Sequence, residues 1–258
     1  MIYEKLALYY DQFVDVKLNQ LYLKTIKKYF SEGNVIDLGT GTGQLAILLA
    51  ENNFHVTGTD LIPQMLEMAY NNSVEAGLYT NFYIHDILEP LNSFYDIITM
   101  TTDVINYIEE KKDVIKVFTN VQKAMTNSSI FAFDFITVKH VDKMDKYHED
   151  ILMHDDLIEW SVSKTIVPNQ LKHTLKIGNT CETHIQTTFE LKKYKELLNS
   201  ENIKVLKTKV LDERVILVCE RNKNMETLNK GFALAGAFLT SVLDLGVKLL
   251  AVGVILQI

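Results

Sequence analysis

The hydrophobic pattern of this chain switches period several times. Residues 3–30 carry apolar side chains at mixed spacings of three and four (Leu6, Tyr9, Tyr10, Phe13, then Leu18, Leu21, Ile26, Phe30), which predicts two helices. A short apolar strand, Val35–Leu38, is followed by a glycine-rich turn and an apolar-striped helix over 44–51. The alternation repeats with a strand over 56–60 and a helix over 63–76, with Pro63 in its first turn, where a missing N–H costs nothing. Further strands are expected at 81–85, 95–100 and 130–136, with a helix over 110–125. The last of these, IFAFDFI, is the continuous apolar run of a strand buried on both faces. Strand–helix alternation of this kind predicts a doubly wound, mostly parallel sheet in an α/β fold.

From residue 157 the period shortens. Segments 157–165, 171–177 and 183–189 alternate like antiparallel strands, and no helix pattern interrupts them. A helix over 190–200 and strands over 203–210 and 213–220 then complete a sheet of seven strands. The expected organisation is one domain over 1–221 with an antiparallel insert at about 139–189, then a linker and hydrophobic tail over 222–258. Within 231–258, 19 of 28 residues are hydrophobic. At about 1.5 Å rise per residue such a segment could span a membrane as a helix. It could equally pack on the domain or on a second copy in a homodimer.

Composition changes this picture little. Hydrophobic residues make up 47% and charged residues 23%, as in ordinary globular chains. The net charge of −7, with no long basic block, argues against a nucleic-acid partner. Two cysteines, Cys181 and Cys219, form neither a disulfide framework nor a zinc site and read as packing thiols in a reducing compartment. The first residues lack the apolar core of a secretory signal, so a cytoplasmic location is expected.

The chemistry concentrates at the turn Asp37-Leu-Gly39-Thr40-Gly41-Thr-Gly43. It matches neither the dinucleotide fingerprint nor the phosphate loop, which disfavours a pyrophosphate ligand. Carboxylates stand at or near the ends of the first three strands: Asp37, Asp60 and Asp86, the last beside His85. A carboxylate at the second strand's end can accept both ribose hydroxyls, one at the first can meet an ammonium, and one at the third an adenine amino group. Together they suit a nucleoside joined to an amino acid without phosphate. Asp60 could also cap the helix over 63–76.

VIDLGTGTGQLAILLA and TGTDLIPQMLEMA resemble the first two motifs of class I S-adenosylmethionine-dependent methyltransferases. TTDVINYI after the fourth strand, YYDQF near the N-terminus and ETHIQTTFELKKYKELL resemble a bacterial small-molecule subgroup of that family. The resemblance covers 1–221. It implies a Rossmann-like fold, S-adenosyl-L-methionine as cofactor and methyl transfer to a small-molecule acceptor. The cofactor residues it implies are Tyr9, Asp37, Gly39, Thr40, Gly41, Gly43, Asp60, Leu61, Met65, His85, Asp86, Ile87, Thr102 and Asp103. Thr187 stands where the subgroup commonly has arginine, so no anion-binding role is carried to it.

Proton transfer has three candidates: His184, which shares a strand face with Glu182, Tyr107 after the fourth strand, and Tyr10, which with Tyr9 reads equally as an N-terminal lid or as an aromatic staple packed on the core. An exposed ion pair is the competing reading of Glu182 and His184. The stretch 148–156, rich in His, Asp and Glu, reads as a charged surface rather than a metal site, Trp160 as a packing residue, and Asn106 as a pocket-lining residue. A non-catalytic cofactor-binding or interaction module is the rival to an enzyme.

Overall fold

A computed structural model describes residues 16–222 except 154 and 155. Tyr9, Tyr10, the more N-terminal helix and the tail over 231–258 lie outside the described residues.

The first described element is α1 (Val16–Ile26). It is followed by β1 (Gly33–Leu38), α2 (Gln44–Ala50), β2 (Phe54–Asp60), α3 (Pro63–Glu75), β3 (Asn81–Ile84) and β4 (Tyr95–Met100). A single 3₁₀ turn at Val104–Tyr107 leads to α4 (Lys111–Ala124) and the long β5 (Met125–Ile136). After the insert come α6 (Leu191–Ser200), β10 (Ile203–Val210) and β11 (Arg214–Arg221). The seven strands run in the order β10-β11-β5-β4-β1-β2-β3. The pairs among β1 to β5 are parallel, and β11 is antiparallel to both its neighbours. β1 sits between β2 and β4, so the chain order reverses there, at the place where open α/β sheets bind ligands.

Period-two alternation sends the two faces of the sheet into two cores. Ile36, Ile98, Phe131, Phe133 and Leu217 pack under α4 and α6, against Phe118, Tyr194 and Leu198. Val35, Ile97, Ile130, Ala132 and Ile216 pack under α1 and α2, against Tyr22, Ile26 and Leu49. The turn after α6 carries Asn202 at φ 58°.

The insert comprises α5 (Val138–Met144) and a four-stranded sheet: β6 (Tyr147–Met153), β7 (Asp156–Lys164), β8 (Gln170–Ile177) and β9 (Thr180–Thr187). Its strands are antiparallel throughout. The charged stretch that begins at 148 lies in an edge strand, with His148, Glu149 and Asp150 exposed as the charged-surface reading expects. Its alternate residues Tyr147 and Ile151 pack inward on Trp160 and Ile158 while charges occupy positions between them. Among the described residues no helix is long and apolar enough to cross a membrane.

Candidate functional site

The glycine turn leaves β1 at its carboxyl end. Gly39, Gly41 and Gly43 all have left-handed φ values (68°, 56° and 82°). Gly39 is constrained twice, because a Cβ there would lie 2.5 Å from Val104. Two carboxylates hold the turn. Asp37, 2% exposed, accepts the hydroxyls of Thr99 at 2.6 Å and Thr40 at 2.7 Å. Burial pushes its pKa up to about 6, with the two hydroxyls opposing the rise. Asp60 accepts the Gly41 N–H at 2.9 Å and the Ile62 N–H at 3.0 Å. Burial raises its pKa as well, against the pull of those N–H groups. The helix cap is Ile62, so Asp60 ties the glycine turn to the start of α3 without being the cap residue. The His85 N–H donates to the Asp60 carbonyl at 3.1 Å, which brings the end of β3 to the same place.

The other positions lie around this nucleus in different settings. Leu61 is 57% exposed beside Asp60, whereas Met65 is 2% exposed inside α3. Asp86 accepts the Leu88 N–H at 2.9 Å, and Ile87 packs against the core under α4. Burial lowers the pKa of His85, with Asp86 acting the other way. These residues fit a nucleoside cofactor on two counts. The left-handed turn at Gly39, Gly41 and Gly43 presents backbone rather than side chains at the carboxyl edge of the sheet. Each carboxylate oxygen has about two lone-pair directions, so Asp60 keeps acceptor capacity beyond the N–H groups of Gly41, Leu61 and Ile62.

Beyond β4, Thr102 and Asp103 take left-handed φ values of 60° and 65°, a costly conformation for two consecutive non-glycine residues. Asp134 in β5 holds both: its carboxylate accepts the N–H of Thr102 at 3.3 Å and of Asp103 at 2.8 Å. The Tyr22 hydroxyl of α1 donates to the same carboxylate at 2.9 Å. Arg214 at the start of β11 donates to both Asp103 oxygens, at 2.9 and 3.4 Å, and sits 3.3 Å from Asp134. Burial pushes Asp103 up to about 7; Arg214 opposes that rise and the Asp134 charge adds to it. For Arg214 burial works against the charge, but the two carboxylates outweigh it and hold the guanidinium ionised. Tyr22, Asp134 and Arg214 were not among the candidates. Asp134, the one charge inside IFAFDFI, was the available signal: an acid in a strand buried on both faces needs partners.

The 3₁₀ turn joins this edge to the insert. Asn106 is fully buried, donates to the Thr187 carbonyl at 2.9 Å and accepts the Ile136 N–H at 3.0 Å. It is thus a scaffold residue and not a pocket wall. Tyr107 lies edge-on to the His184 ring, with centroids 6.4 Å apart. Glu182 and His184 are 5% and 6% exposed, with Oε2 and Nε2 3.7 Å apart, so the pair is buried and the exposed-pair reading is overturned. Trp160 does more than pack: its Nε1 donates to His173 Nδ1 at 3.3 Å. Cys219 is buried as expected, but Cys181 is exposed. A cavity of about 830 Å³ opens at the opposite, amino edge of the sheet, lined by residues such as Asn34, His55 and Phe94. It shares none of the carboxyl-edge groups.

Residues 30–202 match the methyltransferase domain family. The chain belongs to that family. A chain named as a methyltransferase from Geobacillus sp. (strain WCH70) is 29% identical over 227 residues, covering 80% of this chain and 90% of that one. Among solved structures, an S-adenosylmethionine-dependent methyltransferase from Clostridium acetobutylicum ATCC 824 superposes with a TM-score of 0.72 at 20% identity, over 85% of this chain and 98% of that one. An amino pentose methyltransferase from Micromonospora echinaspora, with S-adenosylmethionine bound, gives 0.67 at 13% identity, over 86% and 98%. The seven-stranded sheet with its antiparallel insert is the methyltransferase architecture. Methyl transfer from S-adenosylmethionine is the activity this family membership carries.

Proposed function

We propose that the protein methylates a small-molecule acceptor bound between the carboxyl edge of the large sheet and the insert. The observation that carries this reading is the clamp of Asp60 on Gly41, which fixes a ribose acid and a left-handed glycine cradle as one rigid unit. In this reading Gly39, Thr40, Gly41 and Gly43 approach the amino-acid end of the cofactor by their backbone, and Asp37 stiffens the turn from below. Asp60 accepts the ribose hydroxyls with Leu61 beside it. His85, Asp86, Ile87 and Met65 form the base end, and Thr102 and Asp103 border the reacting methyl. The cofactor supplies a methyl group already activated by its positive sulfur. The chain's own work is alignment and exclusion of water. His184, with Tyr107 at its edge, takes up the acceptor's proton.

Asp60→Ala tests the reading. Calorimetry should show S-adenosylmethionine affinity falling by about tenfold or more, as when charge-assisted hydrogen bonds are lost. Unchanged affinity would reject the ribose assignment. For the tail, the composition of 231–258 supports a membrane or packing contact. Deleting it should release the protein from a membrane fraction or alter its oligomeric state; no change in either would reject both roles.

A further inference from the structure

The inner face of the insert sheet carries polar chemistry that packing alone does not require. The strand register aligns Val162, His173 and His184 in one row and Trp160, Leu175 and Glu182 in the next. Alternation puts both rows on the same face, while Ser161, Thr174 and Thr183 occupy the other. Around them the face is apolar, with Ile158, Leu171 and Ile177 each 2% exposed or less. A buried carboxylate and two imidazoles are costly there, and an apolar set would avoid the cost.

The hydrogen bonding fixes what these groups offer. An indole N–H can only donate, so His173 Nδ1 accepts from Trp160 and the neutral ring carries its proton on Nε2. That Nε2 is buried, with the Gln186 side chain as its polar neighbour and no partner at full hydrogen-bond geometry among the described residues. Burial, together with the neighbouring His184 and His140 rings, pushes His173 down to about 4, with Gln186 opposing. Burial also lowers His184, against Glu182, and lowers His140, against Glu213. All three imidazoles are therefore neutral near pH 7. The nearby cations are committed: Arg214 to Asp103 and Asp134, and Lys139 and Lys143 to Asp212 and Glu213.

This set discriminates between acceptor classes. A carboxylate or phenolate acceptor would meet Glu182, and among the described residues the neighbouring cations are already paired. An alcohol needs a strong base, and a buried imidazole with lowered basicity is a weak one. An ammonium suits both features, because a buried carboxylate attracts it and its acidity is within reach of an imidazole. The rings of Trp160 and Tyr107 favour a cation too.

Building on the methyl-transfer reading above, we infer that the face formed by Trp160, His173, Glu182 and His184 in these two adjacent rows is the acceptor subsite and takes a small molecule bearing an amine. Glu182 holds the ammonium and His184 removes one proton from it. The freed nitrogen lone pair forms the new N–C bond as the methyl–sulfur bond breaks, and the electron pair of that bond stays on sulfur. The positive charge passes from sulfur to the methylated nitrogen.

The test incubates the full chain with methyl-¹³C-labelled S-adenosylmethionine and the small-molecule fraction of a metabolite extract. The label should appear in products retained on a cation exchanger, with the carbon shift of an N-methyl group. Label on an ester, an ether or carbon would overturn the amine assignment while sustaining methyl transfer. Cofactor binding with no labelled product would overturn the methyl-transfer reading itself. The isolated acceptor is then titrated by calorimetry into protein loaded with S-adenosylhomocysteine. Glu182→Gln should weaken its binding by about tenfold or more, the usual scale for a hydrogen bond to a charged group, with S-adenosylhomocysteine affinity and melting temperature retained. Equal acceptor affinity would remove Glu182 from the subsite.

Discussion

The glycine turn after β1 and the inner face of the insert sheet meet at four residues. Val104 fills the space that a Gly39 side chain would need, and Tyr107, three positions on, lies against His184. The two regions are built by different means. At the turn the proposed working groups are backbone N–H donors and left-handed glycines, and the carboxylates of Asp37 and Asp60 hold that backbone in place. On the insert the proposed working groups are side chains standing on a regular antiparallel sheet whose backbone is already satisfied. A site made of backbone can be altered only by deforming the fold. A site made of side chains can be altered one group at a time. The first therefore suits a constant ligand and the second a ligand that differs between relatives. Substitutions at the turn should disturb stability and cofactor affinity together, whereas substitutions on the insert's inner face should change acceptor binding and spare the fold.

The largest effect is expected where the two regions share a support. Arg214→Ala leaves Asp103 and Asp134 buried beside each other with no cation, and removal of one partner from a buried pair costs about 3–5 kcal/mol. Urea unfolding should show that loss. A loss under about 1 kcal/mol would place the pair in solvent-like surroundings and end its role as a support. Next comes Gly39→Ala, which combines a φ of 68° with a Cβ 2.5 Å from Val104. The expected cost is about 2–3 kcal/mol, and cofactor affinity should fall with it. Adding Val104→Ala should recover the steric part and leave the backbone part. Full recovery in the double variant would show that the left-handed conformation is not what the turn needs.

The two regions also differ in how far the sequence revealed them. The turn is local: Asp37, Gly39, Gly41 and Gly43 lie within seven positions, and Asp60 ends the next predicted strand, so pattern and spacing sufficed. β1, β4 and β5 were legible because burial on both faces leaves a continuous apolar run. The support network was not. Asp103 and Arg214 are 111 positions apart and Tyr22 and Asp134 are 112 apart, so no local pattern connects them. The clue was chemical: an acid within a buried run, in a chain with only two arginines. β6 escaped because an edge strand needs only one apolar face, and His148, Glu149 and Asp150 hid the alternation. The Trp160–His173 bond escaped because it depends on cross-strand register, which hydrophobic pattern alone does not specify.

A smaller effect should separate the turn's structural role from its binding role. Asp37 has its pKa raised to about 6 by burial, above an unfolded value of about 3.9. The folded state therefore favours the protonated acid. That contribution is fully present below about pH 4 and is lost as pH rises through about 6. Above that, the buried carboxylate works against the fold. Asp37→Asn removes the titration, so the stability of the natural chain relative to this variant should decline between about pH 4 and 6 and level off above. At pH 8 the variant should be the more stable by about 1–3 kcal/mol and bind S-adenosylmethionine less tightly. Parallel pH profiles would show that the carboxyl is not desolvated.

The smallest effect belongs to the insert's outer face and gives the comparison its sharpest control. Lys176 and Glu159 pair across β8 and β7 at 3.2 Å, with side chains 55% and 45% exposed. An exposed cross-strand ion pair contributes about 0.5 kcal/mol or less and is screened by salt. Lys176→Ala should thus leave the melting temperature nearly unchanged at moderate ionic strength, and acceptor affinity should not move. Lys176 pairs in register with Cys181, the immediate neighbour of Glu182, so the two test positions share the same stretch of sheet and differ only in the face they occupy. If Lys176→Ala weakened acceptor binding as much as Glu182→Gln, the effect would belong to the sheet as a body. Acceptor recognition could not then be assigned to its inner side chains, and the contrast with the glycine turn would fail.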